Sequence, residues 1–257
     1  MKKLFSLLIV MILIVSLLGC NNPNTIYENE FFQYKILRPE PKFEHIMIIG
    51  LTDLGKEQTN LIIPSEIDGI PVLKLGKEGE LMFGVSEGRF DSDNLVKVYN
   101  GPTLMQCNRA IFIGCTRLET ILFNNSQLQY YVDINRYDPD IPIQPRIYIP
   151  RNNALPEFTL KVQIEDMFRI ANVSYYWNYI DAPEEGSYFI DWVDGTIIDF
   201  IPPDPQREGF VFSGWFTEAE CINEWDFEND IVMGPLFNKE GVSPYFETAL
   251  FAKWEKD

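Results

Sequence analysis

Apolar positions fall into three patterns along this chain, and each predicts a different kind of segment. Over residues 4–18 they are nearly continuous, interrupted only by Ser6 and Ser16. Between about Lys42 and Pro150 they come in short β-branched runs separated by turns, such as NLIIP from Asn60 and RIYIP from Arg146. From Val173 onward they alternate with polar residues at strand spacing, as at Phe210 and Phe212 or at Leu250, Ala252 and Trp254, with prolines and Gly209 punctuating the runs as turns. Helical periodicity is scarce, and residues 160–170 are the one fair stretch. The pattern predicts a mainly β protein.

The first run is preceded by Lys2 and Lys3 and followed by Gly19 and Cys20. Charged, then apolar, then small is the order of an export signal. A transmembrane helix needs about 20 apolar residues, so this shorter run is expected to be a signal peptide over residues 1–19, removed rather than retained. The ending Leu17-Leu18-Gly19-Cys20 resembles the lipobox of bacterial lipoproteins. That resemblance implies a diacylglyceryl group on Cys20, with the chain held on membrane lipid and facing outward from the cell membrane. Two acyl chains, at about 0.8 kcal/mol per buried methylene, make such an anchor durable. Residues 20–41 then read as a polar tether and lead-in to the repeats.

The middle of the chain is self-similar. Leu95 and Leu118 stand 23 residues apart, with Val98 and Ile121 following each at the same offset. A unit of this length cannot bury its own apolar face and must stack on its neighbours. The lines resemble the BspA-like leucine-rich repeats of bacterial surface proteins: Phe112, Cys115, Leu118 and Ile121 match one repeat line, and Ile63, Pro64, Ile67, Gly69 and Val72 the other. The resemblance implies a short leucine-rich-repeat solenoid over residues 42–171, with an irregular insertion at 127–144. In such a stack Phe112, Cys115, Leu118 and Ile121 belong to one continuous core, and Cys115 acts as a small hydrophobe. Binding would use outward positions between the strand apolars, such as Val96-Lys97 or Glu119-Thr120.

All five tryptophans lie after Val173, and six of the 21 residues of REGFVFSGWFTEAECINEWDF, from Arg207, are Phe or Trp. This stretch resembles the Listeria–Bacteroides repeat of bacterial surface proteins through Pro205, Arg207, Gly209, Phe210, Phe212, Gly214, Trp215, Phe216, Trp225, Phe227, Leu250, Ala252 and Trp254. The resemblance implies a small β-grasp-like module over residues 172–257, with residues 233–247 as a longer loop than usual. A unit this small buries only about 60% of its unfolded surface. Its large rings, Phe210, Phe212, Trp215, Trp225 and Trp254, are therefore expected inside, with Gly209 and Gly214 allowing close strand approach. Tyr175, Tyr176 and Tyr245 are surplus rings that a glycan could stack on.

Composition removes several function classes. The formal net charge is −17, and loss of Lys2 and Lys3 with the leader makes the remainder more acidic still, so nucleic acid is not an expected partner. His45 is the single histidine, which leaves no histidine triad or multi-histidine metal site. Asp91-Ser92-Asp93-Asn94 begins like a calcium loop but has Val96 where the loop needs glycine. No phosphate-binding or nucleophile-elbow motif is present. Three cysteines beyond Cys20, namely Cys107, Cys115 and Cys221, argue against a disulfide framework. The expectation is a protein without enzymatic activity, cofactor or metal. The expected protein is a surface lipoprotein that binds or adheres to an extracellular protein or glycan, or alternatively a structural spacer with no dedicated ligand.

Overall fold

The computed structural model describes residues 25–38, 43–76, 88–125, 129–131, 145–150, 157–158, 168–182, 186–194, 196–232 and 247–257. Residues 1–24 with Cys20, most of the insertion at 127–144, and the loop with Tyr245 lie outside the described residues. The strands are, in chain order, β1 (Tyr27–Glu28), β2 (Phe32–Leu37), β3 (His45–Leu51), β4 (Asn60–Ile63), β5 (Glu66–Ile67), β6 (Ile70–Leu75), β7 (Lys97–Asn100), β8 (Gln106–Asn108) and β9 (Thr120–Phe123). They continue as β10 (Gln129–Tyr131), β11 (Arg146–Ile149), β12 (Glu157–Phe158), β13 (Phe168–Ile170), β14 (Val173–Tyr176), β15 (Ser187–Asp191), β16 (Phe210–Phe216) and β17 (Thr248–Lys256). One helical turn, α1 (Asp53–Lys56), follows β3, and a 3-10 turn spans Arg109–Phe112. The protein is mainly β, as its alternation predicts.

Three sheets result. The first has the order β1-β2-β3-β6-β8-β10-β12, antiparallel up to β3 and parallel along the rest of that path, with β5 antiparallel beside β6. The second, β13-β11-β9-β7-β4, is parallel throughout. From β6 to β13 the chain adds strands to the two sheets in turn. Parallel neighbours cannot be joined by a tight hairpin, and the excursion through the opposite sheet supplies the crossover.

Register explains the short β-branched runs. Leu61, Val98, Ile121 and Ile147 are paired across the second sheet in one row, and all are buried with Ile46, Ile48, Val72 and Leu75 of the first sheet. Ile62, Tyr99, Leu122 and Tyr148 form the adjacent row, which by the two-residue period points to the other face. Leu95 and Leu118 sit in the same core, and Phe90 meets Phe112 edge-on with centroids 5.6 Å apart. Thr116 Oγ1 donates to Asp93 Oδ1 at 2.7 Å, tying successive units together.

Cys107, Cys115 and Cys221 are free thiols. Cys115 lies in the core, where burial pushes its thiol up to about 11. The calcium-like stretch makes a turn: buried Ser92 donates to the Lys56 carbonyl at 2.7 Å and accepts from the amides of Asn94 and Leu95. Two expectations change here. The 127–144 insertion contributes β10 to the first sheet. Of the stretch read as helical, residues 160–167 lie outside the described set, and Phe168–Ile170 is β13, because pairing with Ile147–Ile149 overrides weak local periodicity.

The third sheet, β15-β14-β17-β16, holds β14 and β17 parallel at its centre with an antiparallel strand on either side. Val173, Tyr175, Val193, Ile198, Trp215, Val232, Leu250 and Ala252 form its core, with Phe212, Trp225, Phe227 and Trp254 partly buried against it. Phe210 stands apart from that cluster, under the Arg207 guanidinium at 3.7 Å from its ring centroid. The glycines act differently from expectation. Gly209 takes a turn at φ 73° with open space around it, and Gly214, at φ 114°, forms the bulge between Phe212 and Trp215. Because an L side chain at that φ is strained by about 1–3 kcal/mol, Gly214→Ala is expected to destabilise the protein by about that amount in urea unfolding. An unchanged midpoint would mean that the bulge relaxes freely.

Candidate functional site

The outer row of the parallel sheet is covered rather than exposed. Tyr99, Leu122 and Tyr148 are buried against Ala171 and Ile190. The Tyr99 ring packs against Phe189, at 4.8 Å and 29°, and Phe200, at 4.7 Å and 17°, which also touch each other at 6.2 Å. Trp192 stacks on Tyr148 at 4.8 Å and 17°. Backbone and amide bonds fix the same joint: Ala171 N–H donates to the Ile149 carbonyl at 3.0 Å, Asn172 exchanges two bonds with Val193, and Asn124 Nδ2 donates to the Ser187 carbonyl at 2.7 Å. The C-terminal sheet is thus stacked on the second sheet through aromatic faces.

A charge lies inside this joint. Asp191, at the end of β15, is 0% exposed. Its Oδ1 accepts from the Trp192 amide at 2.7 Å, from Lys97 Nζ at 3.3 Å and from the Tyr99 hydroxyl at 3.4 Å, while Oδ2 has no partner among the described residues. Burial raises the carboxyl to about 6, against the opposing pull of Lys97. Lys97 also reaches Asp199 at 3.8 Å. The same burial and the neighbouring carboxylates drive the Tyr99 phenol far upward, so it stays a donor.

Beside this lock opens a cleft of about 550 Å³, and Glu119, Arg146, Trp192, Asp194 and Asp199 are among the residues that line it, with Lys97 at its inner end. Strands β7, β9 and β11 begin here, so Lys97, Thr120 and Arg146 are paired neighbours. Burial raises the Tyr148 phenol, and Arg146 and Arg169 partly offset that. Of the positions picked out in the sequence, Lys97, Glu119 and Thr120 come together at this cleft, while Val96 is not among its lining residues. Thr120 is buried. Trp192, Asp194 and Asp199 were missed; their only signal was the DWVDGTIID line, where acids flank a lone tryptophan.

The rings suggested for stacking divide. Tyr175 is 0% exposed and belongs to the core, because its strand is central in the sheet. Tyr176 stacks on Phe251 at 5.3 Å and donates to Glu247 Oε1 at 2.8 Å; with Trp177 and Tyr179 it borders an open depression of about 630 Å³. His45 is buried within β3. Among the described residues no group of three or more metal-ligating side chains occurs, and no helix is long and apolar enough to cross a membrane.

Comparison with known proteins agrees with part of this picture. Residues 184–235 match the Listeria-Bacteroides repeat domain, which covers β15, β16 and the segments around them. A protein of Evansella cellulosilytica named "Putative Gly-rich membrane protein" is 28% identical over 78 residues, which is 30% of this chain and 8% of that relative. The chain therefore spans only a small fraction of the relative's length. No solved structure matches.

Proposed function

We propose that this chain is an outward-facing envelope lipoprotein, anchored through Cys20, whose leucine-rich-repeat stack and C-terminal repeat together form a binding or adhesion module for a protein or glycan. The observation that carries this reading is the cleft, a concave site with an aromatic wall and converging charges of both signs. The 23-residue spacing, the alternation of strands between two facing sheets, and the Listeria-Bacteroides match over residues 184–235 support the architecture. The lipobox-like ending and a relative named a membrane protein support the location. The reading is one of binding without catalysis.

A spacer without a ligand is the second reading, favoured by the ring-stacked joint, which fixes the two parts as one stiff body. The test is display of the full chain on cells, scored for attachment to matrix-coated and glycan-coated surfaces. Saturable attachment that soluble protein competes away, and that Cys20→Ala removes from the cell surface, is the expected result. Attachment indistinguishable from cells lacking the chain favours the spacer.

A further inference from the structure

Resting on that binding reading, we propose that the cleft beside the lock takes a neutral sugar unit, with Trp192 as its stacking wall and Glu119, Asp194 and Arg146 as its hydroxyl partners. The charges on the walls decide the class of ligand. Arg146 and Lys97 stand beside the cavity with Glu119, Asp194 and Asp199. A polyanion would meet three carboxylates, and a cationic side chain would meet two fixed cations, so each is opposed by part of the wall. Hydroxyl groups both donate and accept. A polyol can therefore bond carboxylates and guanidinium together without bringing a charge of its own.

The ring geometry points the same way. Tyr148 takes one face of Trp192 and holds it nearly parallel at 4.8 Å, so the half-buried indole that lines the cleft is already fixed before any ligand arrives. Pre-ordering of this kind lowers the entropic cost of stacking a flat apolar sugar face. A cavity of about 550 Å³ lies within the range of roughly 300–1,000 Å³ typical of small-molecule sites. Glu119 and Asp194 are exposed and take no part in the lock, so they can be changed without disturbing the fold.

The experiment titrates the full chain in detergent micelles with maltotriose, mannotriose and triacetylchitotriose, and in parallel with sialyllactose and tetralysine. Saturation-transfer NMR and tryptophan fluorescence report binding. At least one neutral trisaccharide is expected to saturate, with binding weakened tenfold or more by Glu119→Gln combined with Asp194→Asn at unchanged melting temperature. Trp192→Phe, which keeps a ring against Tyr148, is expected to weaken it less. If sialyllactose or tetralysine saturates instead and the same acidic variants abolish it, the sugar assignment falls while the binding reading stands. If a neutral sugar binds equally well to the acidic double variant, the cleft is not its site and the proposal falls. If no probe saturates up to several millimolar, it falls too, and the cell-attachment test then decides the wider reading separately.

Discussion

Replacing Lys97 with alanine is expected to destabilise the protein by about 3 kcal/mol at pH 7.5, because it removes the cation facing a fully buried carboxylate. Asp191 would keep the Trp192 amide and the Tyr99 hydroxyl as donors, but no opposite charge. The pH dependence distinguishes this from lost packing. In the native protein the Asp191 carboxyl is raised from 3.8 to about 6, so it holds its proton more tightly folded than unfolded. Its contribution is most favourable below the unfolded value, declines as pH rises through about 4 to 6, and is constant above that.

A shift of about two units corresponds to about 3 kcal/mol across this window. Without Lys97 the folded value moves higher and the decline continues past pH 6. The measurement is urea unfolding of both proteins from pH 4 to 8. Their curves are expected to converge toward pH 4, and Asp191→Asn in the Lys97→Ala background should restore most of the loss at pH 7.5. A deficit that stays the same at pH 4.5 would mean that Lys97 acts through its alkyl stem and not its charge.

Trp215→Ala should cost about 3–5 kcal/mol, the usual range for truncating a large buried ring. Trp215 is 2% exposed and touches three other rings: Tyr175 at 4.9 Å and 74°, Tyr188 at 6.0 Å and 19°, and Phe212 at 5.1 Å and 59°. Removing it takes the largest side chain out of a small core whose other buried members are Tyr175 and six aliphatic residues. Trp215→Phe should cost much less, since the indole N–H has no acceptor among the described residues. Differential scanning calorimetry tests both. If the alanine variant lost less than about 1 kcal/mol, the aromatic cluster would not be what holds the third sheet together.

Residues whose role is set by local spacing were readable in the sequence. Leu95, Leu118, Val98 and Ile121 repeat at one offset because each unit must bury its own leucine and strand, and all four reach the core. Of the rings expected inside after Val173, Trp215 is buried, Phe212, Trp225 and Trp254 are only partly buried against the same cluster, and Phe210 stands outside it. What escaped was everything set by contact between the repeats and the module. Tyr99 and Tyr148 sit on strands where alternation marks them as outward, yet a second layer covers them. Lys97 reads as a solvated charge until Asp191, 94 positions away, is brought to it. No local pattern encodes a partner that distant. The same holds for Tyr175, whose burial follows from the central position of its strand and not from its neighbours in the chain.

The parallel pairing of β14 with β17 also sets an order of assembly. Val173 lies against Thr248, some 75 positions later, whereas each strand of the repeat sheets finds a neighbour much closer in sequence, as Lys97 does in Thr120. Distant pairings must close a long loop before any contact rewards them. A chain that emerges from its N-terminus can therefore pair the strands of the first two sheets as they appear, while Trp215 and its fellow rings wait for the final strand. During that interval the rings that pack on β17 stand unshielded by their own sheet.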